Sequence, residues 1–260
     1  MKPESLQRES PEGKKREPSS RQRMRLSLII LSCILYPVTF AYVSCPLITE
    51  AASQGILTAG LIIFGLVFLT SLVLGRFWCA YFCPVGGLQE ACNRVLRWPL
   101  RTTRADWLKY LVFLGIFGSI AYAIWSAGGL KTVDLLYRTQ NGISILAAGG
   151  IVLFLGPVMI TLLFALILGK RGFCHTFCPI AVMLMIGRKI RNLAGWPALH
   201  LKAEKERCNN CNACSKECPM SLDVHAMVKE EKMENAECIL CASCADTCPK
   251  GAITYGIGKT

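Results

Sequence analysis

The chain carries fifteen cysteines, and eight of them fall in two runs of the same spacing. Residues 208–219 read CNNCNACSKECP and residues 238–249 read CILCASCADTCP, each a C-x2-C-x2-C-x3-C-P. Three thiolates in so tight a loop can each reach a different iron of a cubane, while the fourth, carried onward by the next turn, reaches the cluster of the other run. On that reasoning Cys208, Cys211, Cys214 and Cys248 hold one 4Fe–4S cluster, and Cys238, Cys241, Cys244 and Cys218 hold a second. A zinc module needs one quartet per ion and has no use for two matched C-x3-C-P tails.

Four further cysteines repeat a sparser pattern. Residues 77–86 read FWCAYFCPVG and residues 172–181 read GFCHTFCPIA, placing a C-x3-C-P at 79–84 and again at 174–179. Each pair follows an apolar run and a glycine with a basic residue, Gly75-Arg76 and Gly169-Lys170, and precedes an apolar and basic stretch ending in Trp98-Pro99 or Trp196-Pro197. An i, i+4 pair lies on one face of a helix. Two facing pairs would gather Cys79, Cys83, Cys174 and Cys178 into one quartet, able to hold a third cluster or another metal, or to act as redox thiols. Free cysteine is also a common packing residue, and that is the expected role of Cys33, Cys45 and Cys92, which have no spaced partner. His175 lies inside the second pair where the first has Ala80, so it reads as a neighbour of the site or a surface residue rather than a ligand.

Long apolar segments must position these motifs. No Asp, Glu, Lys or Arg occurs in 26–49, 51–75, 110–130 or 139–169, and about 20 helical residues cross a 30 Å hydrocarbon core. Residues 1–25 hold eight Lys and Arg, 76–109 hold six and 170–191 hold five, whereas the connections near 47–54 and 128–143 are poor in base. The positive-inside rule then puts both termini and the middle loop in the cytoplasm, on the inner or plasma membrane of a prokaryote. The net charge of +12 is thus accounted for by topology and anionic lipid, and nucleic acid is not an expected partner. The reading is an all-α polytopic membrane protein with four transmembrane helices in a two-helix internal repeat, its copies related by an axis along the membrane normal, followed by a C-terminal α+β two-cluster ferredoxin-like domain. Its segments are a disordered basic tail (1–25), a membrane domain (26–200) and an iron–sulfur domain (201–260). Pro37 and Pro46 are expected to kink or end the first helix. A module of about 55 residues is marginal for an apolar core alone, so cluster binding supplies much of its folding free energy.

The sequence also excludes chemistry. The three histidines, His175, His200 and His225, lie outside the apolar runs, so no bis-histidine haem is expected in the bilayer. No G-x-x-x-x-G-K-[ST] or strand-borne G-x-G-x-x-G offers a nucleotide site. A quinone site would draw on Arg76, Trp78, Tyr81, Gln89 and Trp98 by position alone, and membrane-interface anchoring is the favoured reading of each.

Residues 202–257 resemble the two-cluster ferredoxins. Paired C-x3-C-P motifs followed by such a module resemble a family of polytopic iron–sulfur proteins, whose best-known member is the membrane subunit of the quinol dehydrogenase serving periplasmic nitrate reductase. Relatives include membrane halves of nitrous-oxide-reductase regulators and cytochrome-oxidase accessory proteins. The resemblance rests on twelve cysteines and four prolines, and it implies four helices and electron exchange with membrane quinol and another redox protein. The regulators' flavin domain before the first helix and the accessory proteins' long domain after the last cluster are not seen, so the shorter quinol-dehydrogenase type is the nearer likeness. A metal-maturation factor handling copper and a redox-sensing membrane anchor are the alternatives.

Overall fold

The computed structural model describes residues 19–96, 104–147 and 149–258. Ser19 caps the first helix, α1 (Ser20–Val43), by accepting from Gln22 N. This corrects the tail boundary: residues 20–25 are helical, because Arg21, Gln22 and Arg25 find partners in the folded chain. The apolar run passes through Pro37, breaks at Ser44 and continues as α2 (Cys45–Ser53), with Pro46 in its first turn. Proline inside a helix frees backbone groups. Here Ser144 and Ile145 collect them: Ile145 N donates to Pro37 O, and the Ser144 hydroxyl donates to Val38 O while accepting from Ala41 N.

A two-residue strand, β1 (Ile56–Leu57), leads to α3 (Ala59–Leu74), capped by Thr58 and stopped by Gly75 at φ 58°. Then come a single-turn helix, α4 (Phe77–Tyr81), and an amphipathic helix, α5 (Pro84–Leu96). After α6 (Leu108–Ser126) the chain forms β2 (Thr132–Val133), which pairs in parallel with β1. The order then recurs: an apolar helix α7 (Gly150–Leu168), a stop at Gly169, a single turn α8 (Gly172–Thr176) and an amphipathic helix α9 (Pro179–Ala194). The packing is exchanged, α5 lying against α7 and α9 against α3. The two cysteine pairs are thereby brought to one shared interface.

Among the described residues, three helical segments are long and apolar enough to cross a membrane: Ser20–Ser53, Leu108–Ser126 and Gly150–Leu168. Helix α3, at 16 residues, is a shorter apolar helix. Lys109 enters α6 near its start, so that helix begins two residues before the uncharged run expected for it. Trp98 and Pro99 lie outside the described residues.

The last third is a small α+β module. Strands β3 (Ala198–Ala203) and β4 (Ile253–Gly258) pair antiparallel, Ala198 opposite Gly258 and Ala203 opposite Ile253, and close the module. Between them lie three short helices, α10 (Ala213–Lys216), α11 (Val224–Lys229) and α12 (Ser243–Thr247). The module has no separate core. Ile239 and Leu240, at 1% and 0% exposure, join one apolar cluster with Ala80, Tyr81, Met183 and Leu184 of the helical domain. Burying each of the two contributes about 1.5–3 kcal/mol. Leu240 reaches the bare Cα of Gly75, where an added Cβ would stand 3.0 Å from its Cδ1.

Candidate functional site

The two C-x2-C-x2-C loops adopt the same backbone. Asn210 and Asn212 flank Cys211, Leu240 and Ala242 flank Cys241, and all four have left-handed φ of 55–59°. Asparagine tolerates that region; leucine and alanine do so at about 1–2 kcal/mol each. Interleaved left-handed residues turn successive N–H groups inward and form an anion-binding nest of the kind found at iron–sulfur sites. Further N–H groups reach the sulfurs: Leu240 to Cys238, Ala245 to Cys244, Met220 and Leu222 to Cys218, and Ala252 to Cys248 at 3.3 Å.

Cys238, Cys241, Cys244 and Cys218 all line one apolar cavity, walled by Leu201, Met220, Met233 and Ile239 and enclosing about 400 Å³ of empty space, part of it open to solvent. The sequence assigned these four to one cluster, with Cys218 crossing from the other run, and the fold brings them to one space. Burial, before any other influence, pushes the thiols of Cys218, Cys238 and Cys244 up. Free, these thiols hold their protons; a bound metal must displace them. Of the other set, Cys214 is buried, Cys208 and Cys248 are half-buried, and Cys211 is exposed.

The C-x3-C-P pairs do not lie on one helical face, as their spacing suggested. In each, the first cysteine sits in the single-turn helix and the second lies past its end, because the following proline starts a new helix. Cys83 N donates to Trp78 O and Cys178 N to Phe173 O, the same turn in both copies. Cys83 accepts from Gly86 N at 3.4 Å and Cys178 from Ala181 N, so each proline-started helix aims its first N–H groups at a sulfur. The four thiols act as one electrostatic group. Burial raises Cys178 first, and Cys174, Cys79 and Cys83 raise it further; Cys83 is raised by burial and then by Cys79 and Cys174. Among the described residues no three His, Cys, Asp or Glu side chains converge tightly enough for a single ion. A cubane takes one thiolate per iron, which sets its ligands wider apart.

Buried polar side chains hold the two copies together. Gln89 of α5 donates to Cys174 Sγ at 3.3 Å and accepts from Phe173 N at 3.0 Å. Arg171 donates to Cys79 O at 2.7 Å and to Glu90 at 3.0 Å, and Arg25 also binds Glu90. Arg76 donates to Glu237 at 2.8 Å and to Ala236 O at 3.0 Å, beside Cys238; Lys109 binds the same carboxylate. Arg188 grips Glu234 at 2.6 and 2.7 Å and donates to Cys238 O at 2.8 Å. On the other side, Gln22 donates to Cys241 O at 2.9 Å.

Several expectations change. Arg76, Tyr81 and Gln89, grouped as interface anchors or quinone contacts, are fully buried, Arg76 and Tyr81 against the C-terminal module and Gln89 between the two copies of the repeat. Trp78 donates to Thr70 at 2.8 Å, and Trp98 lies outside the described residues. His175 is not a surface residue: it is buried, its Nε2 lies 3.2 Å from Met220 O, and burial holds its pKa below the usual value. A neutral imidazole can donate there. Arg171 was overlooked because the two copies were matched from their glycines. Counted back from the cysteine, both read R-x-x-C-x3-C-P, with Arg76 and Arg171 equivalent.

One family model, a 4Fe-4S binding domain, matches the chain twice, at 56–103 and 145–197, and a second, a 4Fe-4S dicluster domain, matches 200–255. The matches show 4Fe-4S ferredoxin-type domains on a chain whose helices include three long and apolar enough to cross a membrane. The chain is similar to ferredoxin-type proteins. It is 22% identical over 222 residues to the ferredoxin-type protein NapH of Escherichia coli, covering 80% of this chain and 73% of that one. It is 25% identical over 192 residues to the methylamine utilization ferredoxin-type protein MauN of Paracoccus denitrificans, covering 70% and 59%. An uncharacterized protein of Methanocaldococcus jannaschii is 28% identical over 219 residues, covering 78% and 80%. No solved structure matches. The resemblance drawn from the cysteine pattern holds.

Proposed function

We propose that this chain relays single electrons between membrane quinone and a redox partner protein. The observation that carries the reading is that the thiols of Cys79, Cys83, Cys174 and Cys178 lie close enough to act on one another, and that Cys79 shares its packed core with Cys218, Cys241 and Cys244. Cys208, Cys211, Cys214 and Cys248 hold one 4Fe–4S cluster; Cys238, Cys241, Cys244 and Cys218 hold a second; the C-x3-C-P quartet holds a third. The nests, the shared cavity and the N–H groups aimed at sulfur suit each group. Iron–sulfur clusters supply one-electron chemistry. Exposed Cys211 marks the face for a soluble partner, and the quartet marks the bilayer side. The two family-model matches support a repeat about an axis along the membrane normal. In this reading α3 is the fourth crossing, both ends of the chain are cytoplasmic, and the helical domain runs from about residue 20.

Iron and acid-labile sulfide per chain, measured on protein purified without oxygen, test the reading. About twelve irons are expected, falling to about eight in Cys79→Ser. A quinol analogue should reduce the centres of the full chain. About eight irons in the unaltered protein, with copper bound stoichiometrically and lost in Cys174→Ser, would replace the relay with metal handling.

A further inference from the structure

Two guanidiniums stand beside the thiol quartet, each three residues before the first cysteine of its pair. Arg76 is 0% exposed and Arg171 is 1% exposed. Both are only partly satisfied. Arg76 bonds through Nη1 alone, leaving Nε and Nη2 without an acceptor among the described residues, and Arg171 leaves Nε so. A buried N–H without an acceptor costs about 1–3 kcal/mol, and more when it carries charge. Native cores rarely tolerate this unless a group completes the site. Protonated thiols are weak acceptors. A cubane bound by four thiolates is an anion, with sulfurs that accept.

The two cations differ in reach. Arg171 serves the quartet alone, through Cys79 O and Glu90. Arg76 also touches Ala236 O and Glu237, next to Cys238. We infer that Arg76 and Arg171 are charge-compensating residues for the anionic centre on Cys79, Cys83, Cys174 and Cys178, and that Arg76 is shared with the neighbouring cluster of Cys238, so that both centres are easier to reduce. The inference rests on the reading that the quartet holds a cluster. An added electron makes a centre more negative, and a fixed buried cation favours that state.

The test compares iron content and EPR-monitored redox titrations of the full chain with those of Arg171→Gln, Arg171→Lys, Arg76→Gln and Glu90→Gln. Arg171→Gln should lower the one-electron reduction constant of the quartet's centre about tenfold, a shift of about 59 mV, and leave the other two unmoved. Arg171→Lys keeps the charge and should stay within about twofold. Arg76→Gln should lower two centres and spare the cluster of Cys211. Glu90→Gln, nearly isosteric, removes a counter-charge and should raise the quartet's constant about tenfold; it keeps the sign test alive if Gln at 171 does not fold. Twelve irons with constants unmoved beyond about twofold, or Arg171→Gln and Glu90→Gln shifting in the same direction, overturn the inference. About eight irons in the unaltered protein overturn the reading beneath it, a distinguishable result.

Discussion

Helices α3 and α9 meet where Gly187 faces Ser71, and the contact fixes how α9 is presented to the cysteine site. A methyl group at Gly187 would fall well inside contact distance of Ser71 Oγ and 3.2 Å from Ser71 Cβ. Ser71 is fully buried, and its hydroxyl donates to Phe68 O at 2.6 Å. Gly187→Ala must therefore rotate that hydroxyl or push α9 away. Losing the hydrogen bond costs about 0.5–1.5 kcal/mol, and overpacking adds about 1–3 kcal/mol, so about 2–4 kcal/mol is expected. Ser71→Ala removes the obstructing oxygen and leaves a close contact that a shift of a few tenths of an ångström relieves. The double variant should recover about 1–3 kcal/mol relative to additivity. Unfolding of the four proteins in detergent, followed by circular dichroism and cluster absorbance together, measures the cycle. Costs that add within about 0.5 kcal/mol, or a neutral Gly187→Ala, would refute the packing argument.

Arg188→Met removes the grip on Glu234 and Cys238 O. Arg188 is buried but Glu234 is open to solvent, so the loss is about 1–3 kcal/mol rather than the roughly 3–5 kcal/mol of a fully buried pair; Asn192 and Arg191 still reach the carboxylate, at 2.9 and 3.4 Å. Limited proteolysis should cut between α9 and the first cysteine run at least about tenfold faster than in the parent. The same pair gives a pH dependence. Although burial alone would raise it, Arg188 holds Glu234 below its ordinary value of 4.5. Its contribution to docking is thus complete above 4.5 and is lost as pH falls through the lowered folded value. Proteolytic release should rise with acidification in the parent beyond any rise in Glu234→Gln; equal slopes would discard this origin.

What was legible in the sequence was the cysteine spacing, and with it the company Cys218 keeps: a C-x3-C-P tail carries its thiol out of its own loop, and the fold places it in one cavity with Cys238, Cys241 and Cys244. The buried ionic layer was not legible. Arg76 stood among the interface anchors, Lys109 was one of the basic residues of the middle loop, and nothing in the spacing of Glu90 or Glu237 marked them; only tertiary contact joins the four charges into a buried layer. The geometry of the C-x3-C-P pairs was misjudged for a local reason. Proline lacks an N–H and forces its predecessor out of helical φ and ψ, so Pro84 and Pro179 split a helix that i, i+4 spacing alone would have kept whole. The turn of helix before Arg25 was hidden by its charges, whose partners lie more than 200 residues away.

That last distance bears on how the protein is made. The first turn of α1 carries side chains whose partners, Cys241 O and Asp246, are translated much later: Gln22 reaches across 219 and 224 residues. Until then Gln22 and Arg21 lack these partners, and the second cysteine run cannot settle on its support. Contacts of such separation are slow to form. Docking of the second cysteine run on the start of α1 therefore waits until the later residues are made, and these then lock the earlier ones in place.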